Sequence, residues 1–104
     1  MLLTKLFILK TGEYVIAQIN DEDLVFFDAN YKVNNPKVVI ATNTQQNSDD
    51  QNKLQTSVVL LTWPQFTLDE VVEINCYSVV SIVNPIKELC ELYENSLKWK
   101  TQNF

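Results

Sequence analysis

The sequence predicts a mostly β fold: a small, open β-barrel of about five strands followed by one C-terminal helix. Three observations predict it. Short runs of β-formers alternate with polar breaks from Leu6 to Val83, the only glycine falls at the first break, and apolar spacing turns helical after Asn84-Pro85. A chain of 104 residues has room for one domain and one modest core. The reading is therefore a single domain over 1–104, with the barrel at 5–83, an insertion loop at 43–56 and the helix at 85–98.

Leu6 to Lys10 is an apolar run that ends at Thr11-Gly12, and Glu13 to Asn20 is a second run of β-formers. Two such runs across a two-residue turn predict a hairpin, with Gly12 supplying the positive φ. Asn20-Asp21-Glu22-Asp23 is a polar break, Leu24 to Phe27 a short strand, and Asp28-Ala29-Asn30 a second break. Tyr31 to Pro36 reads as irregular, because Asn34-Asn35-Pro36 favours a turn and proline cannot donate to a central ladder. Lys37 to Thr42 is the next strand. Asn43 to Thr56 is polar and of low complexity, and it reads as a loop between paired strands.

Ser57 to Trp63 resumes the sheet and Pro64 ends it. Val71 to Ile74 and Ser78 to Val83 are two more strands, joined by a tight corner at Asn75-Cys76-Tyr77. Asn84-Pro85 then signals a helix start, with Asn84 as N-cap and Pro85 at the first helical position. Ile86, Leu89, Cys90, Tyr93 and Leu97 recur at helical spacing and form one apolar stripe, which should pack on the sheet or on a neighbouring subunit. Trp99 to Phe104 reads as a fraying end.

Composition narrows the function. A hydrophobic fraction of 46% with 20% charged residues fits a soluble globular domain rather than a disordered chain. The longest apolar stretch, Val58 to Leu61, falls far short of the about 20 residues that span a bilayer. No signal peptide is read at Met1-Leu-Leu-Thr-Lys, and Cys76 and Cys90 make no disulfide framework. The expected location is the cytoplasm, with no membrane partner.

The eight basic residues are all lysine, histidine is absent, and the net charge is −5. Without histidine the chain lacks the usual general base, metal ligand and triad member; without arginine it lacks a bidentate phosphate clamp. No Ser, Thr or Cys has a candidate base, and one glycine cannot build a phosphate loop. The expectation is no enzyme, no catalytic residue, no metal and no cofactor. Asp21, Glu22, Asp23 and Asp28 lack calcium-loop spacing and read as a solvated turn. Trp63-Pro64 with Phe66 is either an exposed recognition surface or core or interface packing.

In order along the chain, several segments resemble the Sm and Sm-like family. Leu9-Lys10-Thr11-Gly12-Glu13-Tyr14-Val15-Ile16-Ala17-Gln18-Ile19 is similar to the first Sm motif, in which a strand ends in Leu-Lys-Asp/Asn-Gly before the next strand. Asn35-Pro36-Lys37-Val38-Val39-Ile40 stands where the family has Met-Asn-Leu-x-Leu, and Ile74-Asn75-Cys76-Tyr77-Ser78-Val79-Val80-Ser81-Ile82 resembles Ile-Arg-Gly-x-Asn-Val-Val-x-Ile. The likeness spans roughly residues 5 to 85 and extends to small Sm-like proteins of marine phages (cyanophage type).

The resemblance implies a homo-oligomeric ring of about five to seven subunits, built by strand pairing between neighbours, with RNA bases in its lumen. Carried over, Asn35 matches the base-holding asparagine and Tyr31 is its stacking neighbour. Asn75-Cys76 occupy the Arg-Gly position, without the cationic contact or the close backbone approach that pair supplies. Lys32 and Lys37 flank the loop as phosphate contacts, and Tyr77 stands beside Asn75 in the corner. Tyr31 also fits an aromatic covering the core, Asn35 a turn former, and the two lysines a solvated face. The implied function is binding of single-stranded RNA, U- or A-rich, in RNA metabolism or regulation in a phage or bacterial cytoplasm, with no DNA expected. The alternative is a ring-forming phage assembly or adaptor protein whose partner is protein.

Overall fold

The computed structural model describes residues 1–24, 30–45 and 54–98. The chain is mostly β: strands β1 (Leu2–Leu9), β2 (Tyr14–Asn20), β3 (Tyr31–Gln45), β4 (Leu54–Thr62), β5 (Val71–Ile74) and β6 (Val79–Val83), then helix α1 (Lys87–Lys98). All neighbours are antiparallel in the order β4-β3-β2-β1-β6, and β5 pairs with β3 off that path. The sheet is not closed, as expected of an open small barrel.

The first hairpin closes through Leu9, whose N–H donates to the Glu13 carbonyl at 2.9 Å, while the Gly12 N–H donates to the Leu9 carbonyl at 2.9 Å. Gly12 sits at φ 92°. Three residues, Lys10 to Gly12, thus form the loop, and the glycine supplies its left-handed position. The expected two-residue turn is one residue longer. Lys10, which the shorter turn would have placed opposite Glu13, joins the loop, and Leu9 takes the closing position instead.

β3 corrects the reading of Tyr31 to Pro36 as irregular. It runs continuously through that segment with a bulge: Ile16 faces Lys37 while Gln18 faces Asn34, so Asn35 and Pro36 together oppose Ala17. Asn35 adopts φ 50°, a left-handed conformation that asparagine tolerates. Proline is accommodated because a bulge position needs no ladder donor.

The partner of β3 is one interrupted strand. β4 ends with Thr62 facing Lys37, and β5 begins with Val71 facing Asn34. Across the gap the Trp63 N–H donates to the Pro36 carbonyl at 3.1 Å and the Asn35 N–H to the Glu70 carbonyl at 2.6 Å. Six residues, Pro64 to Asp69, are thereby pinched out of the ladder, and β4 and β5 remain two of the six strands of the sheet. Within this excursion the Trp63–Pro64 peptide is cis and Phe66 sits at φ 68°.

The hairpin strands β3 and β4 also extend into the expected loop 43–56, reaching Gln45 and starting again at Leu54. The expected strand Leu24 to Phe27 gives way at Leu24, the last residue of a 3₁₀ turn over Asp21–Leu24. Its other residues, Asp28 with them, and the Trp99 to Phe104 end lie outside the described residues.

The main core lies on one face of the sheet: Phe7 and Leu9 from β1, Val15, Ala17 and Ile19 from β2, Val33 from β3 and Ile74 from β5. Leu24, Tyr31, Trp63, Val72, Val79 and Ile82 pack around it. Burying each large side chain contributes about 1.5–3 kcal/mol. Ile16 is buried on the opposite face, which it shares with Tyr14 and, across the pair, Val39. α1 lies on that face: Ile86, Leu89 and Leu92 border a groove with Val39 and Val58.

Tyr93 anchors the helix. It is fully buried, and its hydroxyl donates to the Asn35 carbonyl at 2.8 Å, with the Asn34 carbonyl at 3.2 Å. These carbonyls are turned aside by the bulge, so the helix satisfies groups that the ladder releases. Asn84 is not the cap. Its side-chain oxygen accepts from the Lys5 ammonium across the β1–β6 pairing, and the helix opens with the Cys90 N–H donating to the Ile86 carbonyl at 3.0 Å. No helix among the described residues is long and apolar enough to cross a membrane.

Candidate nucleic-acid interface

The β3–β5 register gathers four of the six expected site residues at one end of the sheet. Tyr31 faces Ile74 and Lys32 faces Glu73, so the start of β3 lies beside the corner that follows β5. That corner is a 3₁₀ turn, Cys76–Ser78, capped by Asn75, whose Oδ1 accepts from the Tyr77 N–H at 2.8 Å. Tyr77 itself is 66% exposed. Lys32 and Asn75 are exposed as well.

Tyr31 has a split role. Its ring centroid lies 5.9 Å from that of Phe7 with the planes tilted by 58°, and it is only half-buried. One side of the ring extends the core while the remainder stays accessible.

Asn35 and Lys37 stand elsewhere. Four residues of strand, about 13 Å, separate Asn35 from Tyr31. Asn35 gives its backbone to the bulge, through Glu70 and Tyr93. Lys37 is half-buried between Ile16 and Thr62. Both border a small cavity of about 60 Å³ with Trp63 and Asp69.

The loop position ahead of β3 belongs instead to Asn30, which is exposed at the Asn75 end. Matching by sequence pattern passed over it because Asn35-Pro36 looks like a loop exit, whereas β3 had already begun at Tyr31. The signal available was the aromatic after Asn30, a residue that suits the start of a strand.

Among the described residues no group of three or more Cys, Asp or Glu side chains is placed to hold a metal ion. Asp21, in its 3₁₀ turn, faces the N-terminal ammonium of Met1 at 3.5 Å. Cys90 lies half-buried on α1; burial first, then the Glu94 and Glu91 carboxylates, push its thiol above the ordinary range. Comparison with protein-family models and with curated proteins gives no match.

Proposed function

We propose that this chain is a non-catalytic, Sm-like protein that assembles into a homo-oligomeric ring and binds single-stranded RNA. The observation that carries the reading is the convergence of Tyr31, Lys32, Asn75 and Tyr77 at one end of an unclosed sheet. Aromatic rings, an amide and an ammonium group at one end of a sheet suit unpaired bases, which stack for about 1–3 kcal/mol each and present their edges to polar side chains.

The sheet ends support assembly. β4 pairs only with β3 and β6 only with β1 among the described residues, and neither Ser57–Thr62 nor Val79–Val83 carries a charge. Val58, Val59, Leu61, Val80 and Val83 are exposed there. Uncharged apolar edges are templates for pairing with another chain. Repetition around a ring turns one Lys32 per subunit into a circle of positive charge, which offsets the net charge of −5 locally. The setting we propose is RNA regulation in a phage or bacterial cytoplasm.

A second reading, a ring-forming adaptor with a protein partner, is favoured by the excursion at Pro64 to Asp69. Phe66 is fully exposed and Leu68 is 90% exposed, more apolar surface than RNA binding requires.

Native mass spectrometry of protein purified without nuclease separates the two. A discrete ring carrying extra mass that ribonuclease removes supports RNA binding. A ring free of nucleic acid moves the assignment to the adaptor, and a monomer overturns both.

A further inference from the structure

We propose that the cavity between the first hairpin turn and the 3₁₀ corner is a binding pocket for a guanine base carrying a phosphate. The turn and the corner are tied together, the Lys10 N–H donating to the Ser78 carbonyl at 2.8 Å. The cavity they enclose, about 240 Å³, has buried Leu9 and Ile74 at its base and half-buried Trp63 as a wall. Lys10, Thr11, Glu13, Glu73 and Asn75 complete the lining. An apolar base and aromatic wall with a few polar groups is the make-up of a small-molecule site, and the volume falls below the roughly 300–1,000 Å³ of drug-sized ones. One base fits that description.

The polar groups select which base. Glu13 is half-buried and held in place, one carboxylate oxygen accepting from the Thr11 hydroxyl at 3.0 Å. Glu73 adds a second acceptor. Asn75 has its oxygen committed to the Tyr77 N–H, so its amide nitrogen is the group left to donate. Carboxylates accept and never donate when ionised. Guanine alone presents two adjacent donors, N1–H and the N2 amino group, to such an acceptor, and its O6 and N7 accept from amide or ammonium donors. Adenine and cytosine set a ring acceptor beside their amino group, and uracil flanks one N–H with two carbonyls. Each would place lone pairs against a carboxylate. Trp63 supplies the stacking face and Lys10, at the exposed rim, the phosphate contact.

Two sources carry this chemistry: a free guanine mononucleotide, and a guanosine within single-stranded RNA, for which the inference rests on the RNA-binding reading above. The test is fluorescence titration of the full chain in a Trp99→Phe background, which leaves Trp63 as the sole tryptophan. GMP is expected to quench saturably and to bind at least about tenfold more tightly than AMP or UMP, and Glu13→Gln or Glu73→Gln to weaken GMP by about tenfold. Unchanged circular dichroism and melting temperature in both variants exclude a folding defect as the cause.

No saturable GMP signal, equal affinity for the three nucleotides, or two ineffective Glu→Gln variants overturns the pocket. A U-rich RNA oligonucleotide with and without one central G separates the sources. GMP binding without binding of either RNA upholds the pocket and removes the RNA reading. Equal binding of both RNAs with no GMP signal removes the pocket and leaves the RNA reading standing.

Discussion

Tyr93 joins helix, bulge and sheet through a single hydroxyl. Burial drives its phenol well above the ordinary range, opposed only in part by a hydrogen bond from the Gln18 backbone. A folded-state pKa raised above the unfolded value of about 10 means that the folded chain holds the proton longer as pH rises. The Tyr93 contribution is therefore complete below pH about 10 and is lost as pH climbs through the folded value. Tyr93→Phe should destabilise the chain by about 1–2 kcal/mol at neutral pH, since it removes the hydroxyl that donates to the Asn34 and Asn35 carbonyls. In urea unfolding the gap between wild type and Tyr93→Phe should shrink above pH about 10. A constant gap would mean that the Tyr93 hydroxyl holds its proton equally in the folded and unfolded chain. The need for an aromatic in the stripe was readable from helical spacing; that its hydroxyl meets a bulge on β3, about 58 positions earlier, was not.

Among the elements, the excursion and the two sheet edges divide the exposed apolar surface. Phe66 combines full exposure with φ 68°, a conformation costing a bulky residue about 1–2 kcal/mol. Phe66→Asn should leave the denaturation midpoint unchanged or raise it, because asparagine accepts that backbone and the ring contributes no burial. Under the adaptor reading the same variant weakens partner capture. On the edges, Val59→Lys and Val80→Lys introduce the charges that natural edge strands use against pairing. Each should change the monomer's stability by no more than about 0.5 kcal/mol, while analytical ultracentrifugation shows the assembly dissociating. Assembly that survives both substitutions would place the subunit contact elsewhere. The runs of β4 and β6 were legible in the sequence as strands. Their position at the ends of the sheet was not, since it depends on β1 pairing with β6 across seventy or more residues.

For the whole molecule, charge and site oppose each other: the chain carries −5 overall, yet the proposed interface includes Lys32. RNA affinity should therefore fall with added salt, and Lys32→Ala should reduce the salt slope by about one per neutralised phosphate. Tyr77→Ala removes an exposed ring and should weaken binding by about 1–3 kcal/mol with no salt signature. Fluorescence anisotropy of labelled U-rich and A-rich RNA at several salt concentrations measures both. Identical affinities for wild type and Tyr77→Ala would show that the corner does not stack bases. Tyr31→Ala is the poorer probe, because the loss of its packing on Phe7 would mix stability with binding.

The sequence by itself determined the local elements. Gly12 marked the first turn, runs of Val, Ile and Leu marked the strands, and the stripe ending in Tyr93 and Leu97 marked the helix and its inward face. These signals are local because backbone preference and side-chain period act over a few residues. Tertiary structure alone decided where each element stops and what it meets. Asn84 had a capping residue's chemistry, but pairing of β1 with β6 delivered the Lys5 ammonium to it first. Asn35-Pro36 had a turn's chemistry, but the neck formed by Trp63 and Glu70 held it in a strand as a bulge. In each case a hydrogen-bonding group had two possible partners, and the partner brought near by long-range pairing took it.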